Sequence, residues 1–513
     1  MPSIFAGGGR NTVARPSDIN EQECADGENF DLRLGDSAFR PRKPFDKIAT
    51  ATNSGPIRGI AQLVRADNTT STLVQAGDTV FEWDLGTTFT SKATISASSR
   101  LRGARDQNFT LGGTVIITDL EKQTEVSTWD GTTFATLVHD LGGSFFAKYA
   151  VVTNERVFYA NITAGISIPH MVVGSGLLDP GDLTVADRPS SSLSGADPFF
   201  LLTLDLKPIN GLVSAFGIIA FSTQNGKIYQ LSGSSAQDFA VIDLFSGSNA
   251  SGDEAMVNIG NDVLIGRRSA IDTLRSINTF QDVKTDDVSR WISDEIEPQT
   301  EWRIVYESNR QRAFCFPSEG QLVHVLHKPL FDAGGISPWS KWTTKHAIGF
   351  NPETVVTILG PDGIPTVYMG DSTGNLYRFD GTGAQDGGSE DITSFRLSPM
   401  VKGDPSGTVR ELSGYIDYTR PTATLDIDLE VQWLDGDDQT TTTALPAETI
   451  GQVYGGGDVF YGGDFHYGAK GTGRQHRQRW DAAGNGHGFQ IRSSVTAAQD
   501  FSVDEIFFEE AKA

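Results

Sequence analysis

Tryptophan followed by aspartate occurs twice in one setting: EWDLGTTF at 82–89 and, 46 residues later, TWDGTTF at 128–134. A tryptophan–carboxylate pair can serve catalysis. Asp435, Asp437 and Asp438 in LDGDDQ (434–439) are crowded enough to hold calcium. Lys470, Arg474, Arg477 and Arg479 in AKGTGRQHRQRW (469–480) form a basic cluster beside Trp480, the chemistry of a nucleic-acid patch. Each constellation has a plainer explanation that the residues favour. Thr-Thr-Phe follows both Trp83-Asp84 and Trp129-Asp130, and Gly86 and Gly131 are placed to supply the positive φ of tight hairpins. LDGDDQ lacks the full ligand spacing and the later glutamate of a calcium loop, so a solvated turn is favoured. In so acidic a chain the basic cluster reads first as an ion-pairing surface between subunits, since arginine suits carboxylate partners. His324 and His327 stand three apart in an expected strand, which turns them to opposite faces as solvated or core-edge residues.

No Walker loop or His-Glu-x-x-His occurs, nor the Ser-x-Asp-x-Gly-x-x-Trp turns of sialidase-type propellers. The expectation is a protein that is not an enzyme and needs no metal or cofactor. Cys24 and Cys315 make no disulfide framework and no Cys/His cluster, which suits a reducing compartment. The opening residues lack a charged stretch followed by an apolar one, and the longest apolar run, GLVSAFGIIAF at 211–221, is short for a membrane span, so neither export signal nor spanning segment is expected. A formal charge of −24 argues against gripping nucleic-acid backbones, though not against surrounding them.

The elements that would position these residues are short strands. Glycine accounts for 56 of 513 residues, well above average usage, while helix-forming runs are scarce. A turn, an apolar–aromatic strand and another turn recur as DTVFEWDLG (78–86), TEVSTWDG (124–131), GKIYQLSG (226–233), GQLVHVLHK (320–328) and GNLYRFDG (374–381). Weaker copies are SAIDTLRS (269–276) and ERVFYANI (155–162). Trp83 and Phe379 bracket six intervals of about 49 residues, the period of a β-propeller blade. GIIAFSTQNGKIYQL reads as strand, Asn-Gly turn, strand. Val288, Ile292 and Ile296 at i, i+4, i+8 predict one helix over 286–296.

The expected fold is therefore all-β: an irregular β-propeller of about six to seven blade-like units with a C-terminal antiparallel β-sandwich-like domain. Residues 1–50 form an N-terminal arm and first strands. Residues 51–389 form the propeller, with a loop-rich insertion at 161–198, and 390–513 the closing domain. There, TLDIDLEVQWL (424–434) alternates, with Asp426, Asp428 and Glu430 on one face and apolar residues on the other.

The layout resembles the tail nozzle family of short-tailed bacteriophages, also called tail tubular protein B or tail hub. INEQECADGENFDLRLGDSAFRPRKPFDKI (19–48) is similar to that family's start, an acidic Asn-Phe/Leu segment before Arg-Pro-Arg. The stretch from GKIYQLSG to SAIDTLRS (226–276) resembles its middle, and SPWSKWTT (337–344) with VYMGDSTGNLYRFDG (367–381) its last blade. The resemblance implies a virion structural protein assembled in the host cytoplasm: a homohexameric tail ring below the adaptor ring, meeting tail fibres or spikes. Double-stranded DNA would pass through it without specific binding. Asp426, Asp428 and Glu430 face either bulk water or that channel. The competing classes are a WD-repeat or kelch-type interaction scaffold and a glycan-binding propeller.

Overall fold

The computed structural model describes the chain outside residues 1–2, 5–8, 16–17, 20–22, 33–39, 54, 105–112, 185–187, 216–217, 247–249, 261, 278–281, 319–321, 348, 382–384, 399–400, 403–408, 420–424, 434–437, 446–474, 487, 497–501 and 513. It divides into two compact units, both discontinuous in sequence. One takes residues 45–328 and 346–381, and the other residues 1–44, 329–345 and 382–513.

The first unit is a β-propeller of seven blades. Their first strands are Ile57–Val64, Leu101–Gly103, Phe145–Thr153, Ile209–Ala215, Met256–Asn258, Trp302–Glu307 and Thr354–Leu359. Blades 1 to 5 each continue through three further antiparallel strands, and blade 6 contributes three strands to this unit. The first strands lie against one another in turn from blade 3 onward, and Thr354–Leu359 comes round to Ile57–Val64, so the ring closes. Blade 7 has three strands of its own and takes its outer strand, Asp46–Thr50, from the N-terminal side, pairing Ala49 with Leu376 and Lys47 with Tyr377. Blades 1 and 2 approach closely enough for one parallel pair, Arg102 with Ile60. Gly59 permits this, since a Cβ there would stand 2.7 Å from the Leu101 carbonyl oxygen.

The recurring sequence unit is the third strand of a blade, seen at Thr79–Trp83, Ser127–Trp129, Lys227–Ser232, Ala270–Ile277, Leu322–His327 and Asn375–Arg378. ERVFYANI differs, being the second strand of blade 3, Arg156–Ala164. The expected insertion at 161–198 is in part regular structure: Ile166–Gly174 is the third strand of that blade. Glycine, proline and serine are frequent in 175–198, but the β-branched ISIPHMVV ahead of them pairs with its neighbour. The expected helix at 286–296 is a single 3-10 turn, Val288–Trp291, capped by the Asp287 carboxylate. Val288, Ile292 and Ile296 are all buried without a helix to carry them, because a short turn followed by irregular chain reaches the same core. His324 and His327 are buried, not core-edge.

The second unit is built mainly from two antiparallel sheets, beside a two-stranded pair of Phe30–Asp31 with Arg40–Pro41. One orders Ser3–Ile4, Ser502–Lys512, Val409–Thr419 and Gln475–Gly486. The other orders Asp26–Glu28, Thr393–Leu397, Gly488–Thr496, Leu425–Trp433 and Gln439–Leu445. The sequence boundaries at 50 and 390 thus fall at 45 and 382, and the closing unit also takes in residues 1–44 and 329–345. Asn29 is a hub of this unit at φ +58. Its amide donates to the Thr343 hydroxyl and the Thr393 carbonyl, while its side-chain oxygen accepts from Arg42 and the Thr343 amide. Arg42 forks onto Asp386, both nearly fully buried, so each charge has its counter-charge at hand.

Candidate functional site

The two Trp-Asp hairpins are built as structural wedges. Trp129 is fully buried and donates from Nε1 to the Ser71 hydroxyl of blade 1 at 3.2 Å. Trp83 sets its ring edge-on to Tyr368 of blade 7, with centroids 5.6 Å apart. Trp302 of blade 6 donates to the Arg267 carbonyl of blade 5 at 2.6 Å. Each tryptophan therefore leans on the blade before it, joining a large apolar area to one satisfied polar contact. The aspartates close their own turns. Asp130 accepts from the amides of Thr132 and Thr133, and Asp84 from those of Gly86 and Thr88. The Thr133 and Thr132 amides hold Asp130 below the usual carboxylate range. For Asp84, partial burial pushes upward, but the Gly86 and Thr88 hydrogen bonds outweigh it and the net shift is down. Gly131 takes the expected positive φ, +91, whereas in the first hairpin Leu85 takes it, at +63, and Gly86 does not. The first turn has one residue more, and that moves the left-handed position forward.

The carboxylate face of Leu425–Trp433 alternates as expected. Ile427, Leu429 and Val431 are fully buried, Asp426 and Asp428 are exposed, and Glu430 is half-buried. Asp428 accepts from the Thr442 hydroxyl on the neighbouring strand at 2.7 Å, and Arg492 on the other neighbour reaches Glu430 at 3.5 Å. Lys470 and Arg474 lie outside the described residues. Arg477 and Arg479 fall on the strand Gln475–Gly486, opposite Asp417 and Tyr415. Of the calcium candidates, Asp435 and Asp437 also lie outside the described residues, and Asp438 is exposed.

A cluster that the sequence reading passed over lies on the propeller axis. Residues Ser251 to Glu254, in SGDE, are stitched between blades 5 and 6: the Ser251 amide donates to Gly266, Trp302 donates to Ser251, and Ile304 donates to Glu254. From there Glu254 meets Arg100 at 3.0 Å, Arg303 at 3.3 Å and also Arg102. Asp253 meets Lys148 at 2.9 Å and accepts from the Tyr149 hydroxyl at 2.6 Å. Glu301 adds contacts to Arg100 and Arg303, and Arg102 also donates to Thr354 of blade 7. Arg100 and Arg102 belong to blade 2, and Glu254 leads into blade 5. Those blades are three places apart in a ring of seven, the farthest two can be. Contact between them crosses the axis.

Burial pushes the Tyr149 hydroxyl well above its ordinary range, and the Asp253 carboxylate adds to it, so the phenol keeps its proton and donates it in a hydrogen bond. Burial likewise draws the Arg303 guanidinium downward, opposed first by Glu301. With four cations held against three carboxylates, the arrangement acts as an ionic stopper, and each carboxylate already accepts from a cation. Sequence could have hinted at it only through the basic residues that open the blade strands, in SRLRG (99–103), FAKY (146–149) and EWR (301–303). Among the described residues, no group of three or more His, Cys, Asp or Glu side chains is placed to hold a metal ion. No described helix is long and apolar enough to cross a membrane.

Comparison with family models and with curated proteins gives no match. Solved structures similar to the chain include the WD40 domain of coronin from Toxoplasma gondii, at 10% identity over 69% of this chain and 88% of that one, with a TM-score of 0.40. YCF48 bound to D1 peptide is similar at 12% identity over 66% of this chain and 96% of that one, TM-score 0.39. BBS1N in complex with ARL6DN is similar at 8% identity over 67% and 97%, TM-score 0.44. Likeness at this level carries no function across.

Proposed function

We propose that this chain is a structural subunit, a propeller scaffold that holds partners and turns over no substrate, and that its setting is the tail nozzle of a short-tailed bacteriophage. The observation that carries the reading is where the family-like stretches lie. In the second unit, residues from 19–48 and 337–344 build one buried network: Trp342 Nε1 donates to the Phe30 carbonyl at 3.0 Å, Thr343 donates to Asn29, and Ser337 donates to Glu23. In the propeller, residues from 19–48 and 367–381 pair to close the ring. The family-like stretches thus take part in completing both units, which supports the reading.

The stoppered axis adds a constraint. DNA would pass through a conduit enclosed by several copies, not through any one propeller, and cyclic symmetry closes such a ring by repeated heterologous contacts. On this reading about six copies form the ring below an adaptor and beside fibres or spikes in the virion. The face of Asp426, Asp428 and Glu430 then lines the conduit, repelling phosphate over about 8 Å at physiological salt. A scaffold outside a virion is the second reading, favoured by the propeller alone. Imaging the tail of the particle and measuring native mass separates the two. A ring on the tail axis is expected, while a monomer decorating the particle away from that axis would remove the nozzle.

A further inference from the structure

Among the described residues, nine large apolar side chains are exposed, and six of them, Val138, Ile166, Leu177, Leu178, Leu204 and Leu206, lie in or beside blade 3. The chain brings three of these to one end of the blade. The Asp140 amide donates to the Gly181 carbonyl and the Asp140 carboxylate accepts from Leu183, which ties Val138 and its neighbours to the 176–184 turn. On that turn the Leu177 amide donates to Ala196 and the Leu178 amide to Glu155. Val138 is 90% exposed and Leu178 62%. Leu178 also holds φ +59, a backbone region that suits glycine or asparagine. Asparagine would suit that backbone region better, so the leucine there spends stability to keep an apolar side chain on the surface.

The turn is held firmly from below. The buried Arg156 guanidinium donates to the carbonyls of Ser175, Gly195 and Asp197, and Leu183 is fully buried. The rim is acidic: Asp140, Glu155 and Asp179 are exposed, and Asp182 and Asp197 are half-buried. Burial and then the Asp140 and Asp179 carboxylates push Asp182 upward, a mark of crowded negative charge that Arg156 offsets only in part.

We propose that this end of blade 3 is a docking surface for a partner protein whose contact segment carries apolar side chains among lysines and arginines. The apolar centre takes the apolar residues, the carboxylate rim takes the cations, and the firmly held turn spares the ordering cost of binding. A second copy of this chain carries a net charge of −24, so the balance of its surface opposes the acidic rim, and self-association is therefore an outcome that the test distinguishes. The inference stands whether or not the protein is a nozzle subunit.

The test is fluorescence anisotropy on the full chain with a labelled twelve-residue peptide alternating leucine and arginine, beside its leucine–glutamate counterpart. The arginine peptide is expected to bind and to weaken about tenfold between low and physiological salt, with no binding of the glutamate peptide. Leu178→Gly accepts the left-handed backbone, so its melting temperature holds or rises while affinity drops about fivefold or more. Asp182→Asn, which relieves repulsion, weakens binding and its salt dependence. No binding of the arginine peptide, or binding indifferent to Leu178→Gly, overturns the proposal. So does self-association in sedimentation that Leu178→Gly abolishes, since that gives the face to a second copy.

Discussion

The axial cluster and the Leu425–Trp433 face use the same carboxylates to opposite ends. On the axis, Glu254 and Asp253 are largely covered and meet arginines, a lysine and a tyrosine supplied by other blades. On the strand, Asp426 and Asp428 are exposed, and the row meets a threonine hydroxyl, the Gln432 amide and one arginine. The difference lies in what faces each carboxylate and in how little water remains, because effective dielectric decides what a charge pair is worth. In a chain of net charge −24, the charges that hold the fold are those turned inward against the opposite sign.

Removing the axial node tests this hardest. Glu254→Gln leaves Arg100 and Arg303 to share Glu301 and takes a carboxylate from Arg102, and a loss on the order of 3 kcal/mol is expected in urea unfolding. Unchanged stability would place the axial pairs with the surface ones and dissolve the contrast. Tyr149→Phe has a smaller effect, about 1–2 kcal/mol at neutral pH, from the hydrogen bond lost to Asp253. Its pH dependence sharpens the point. The folded phenol is raised above its unfolded range, so its contribution is complete below about pH 10 and declines above that, as the unfolded chain ionises and the folded one does not. Stability of Tyr149→Phe is expected to fall less steeply above pH 10, and parallel curves would show that Tyr149 is not the group responsible. Least is expected on the strand face. Changing Asp426, Asp428 and Glu430 together to lysine shifts stability by less than about 1 kcal/mol. If the face lines a DNA conduit, the same particles eject more slowly, most clearly at low ionic strength. Normal ejection kinetics would end that assignment.

The propeller was legible because its blades repeat a local pattern. Trp83, Trp129 and Tyr377 recur where third strands must bury an aromatic residue, and aspartate-closed turns follow from short-range chemistry. Six intervals between Trp83 and Phe379 correspond to seven blades. The helix expected from Val288, Ile292 and Ile296 went wrong because burial periodicity does not require helical backbone when a turn can place the same three side chains. Leu85 taking the left-handed position in place of Gly86 reflects a turn one residue longer than its twin. The axial stopper and the Asn29 hub stayed hidden for a different reason. Their members lie tens to hundreds of residues apart in sequence, in segments whose composition is ordinary, and only ring closure brings Arg102 to Glu254.

The outer strand of blade 7 sets a timetable for synthesis. Asp46–Thr50 is made roughly three hundred residues before its partner Asn375–Arg378. At translation rates of about 5–20 residues per second, the early strand waits some tens of seconds with its hydrogen-bonding edge unclaimed. Until then the blades already made form an open arc with bare flanks at both ends, and whatever shields those flanks in the cell acts before the last blade leaves the ribosome.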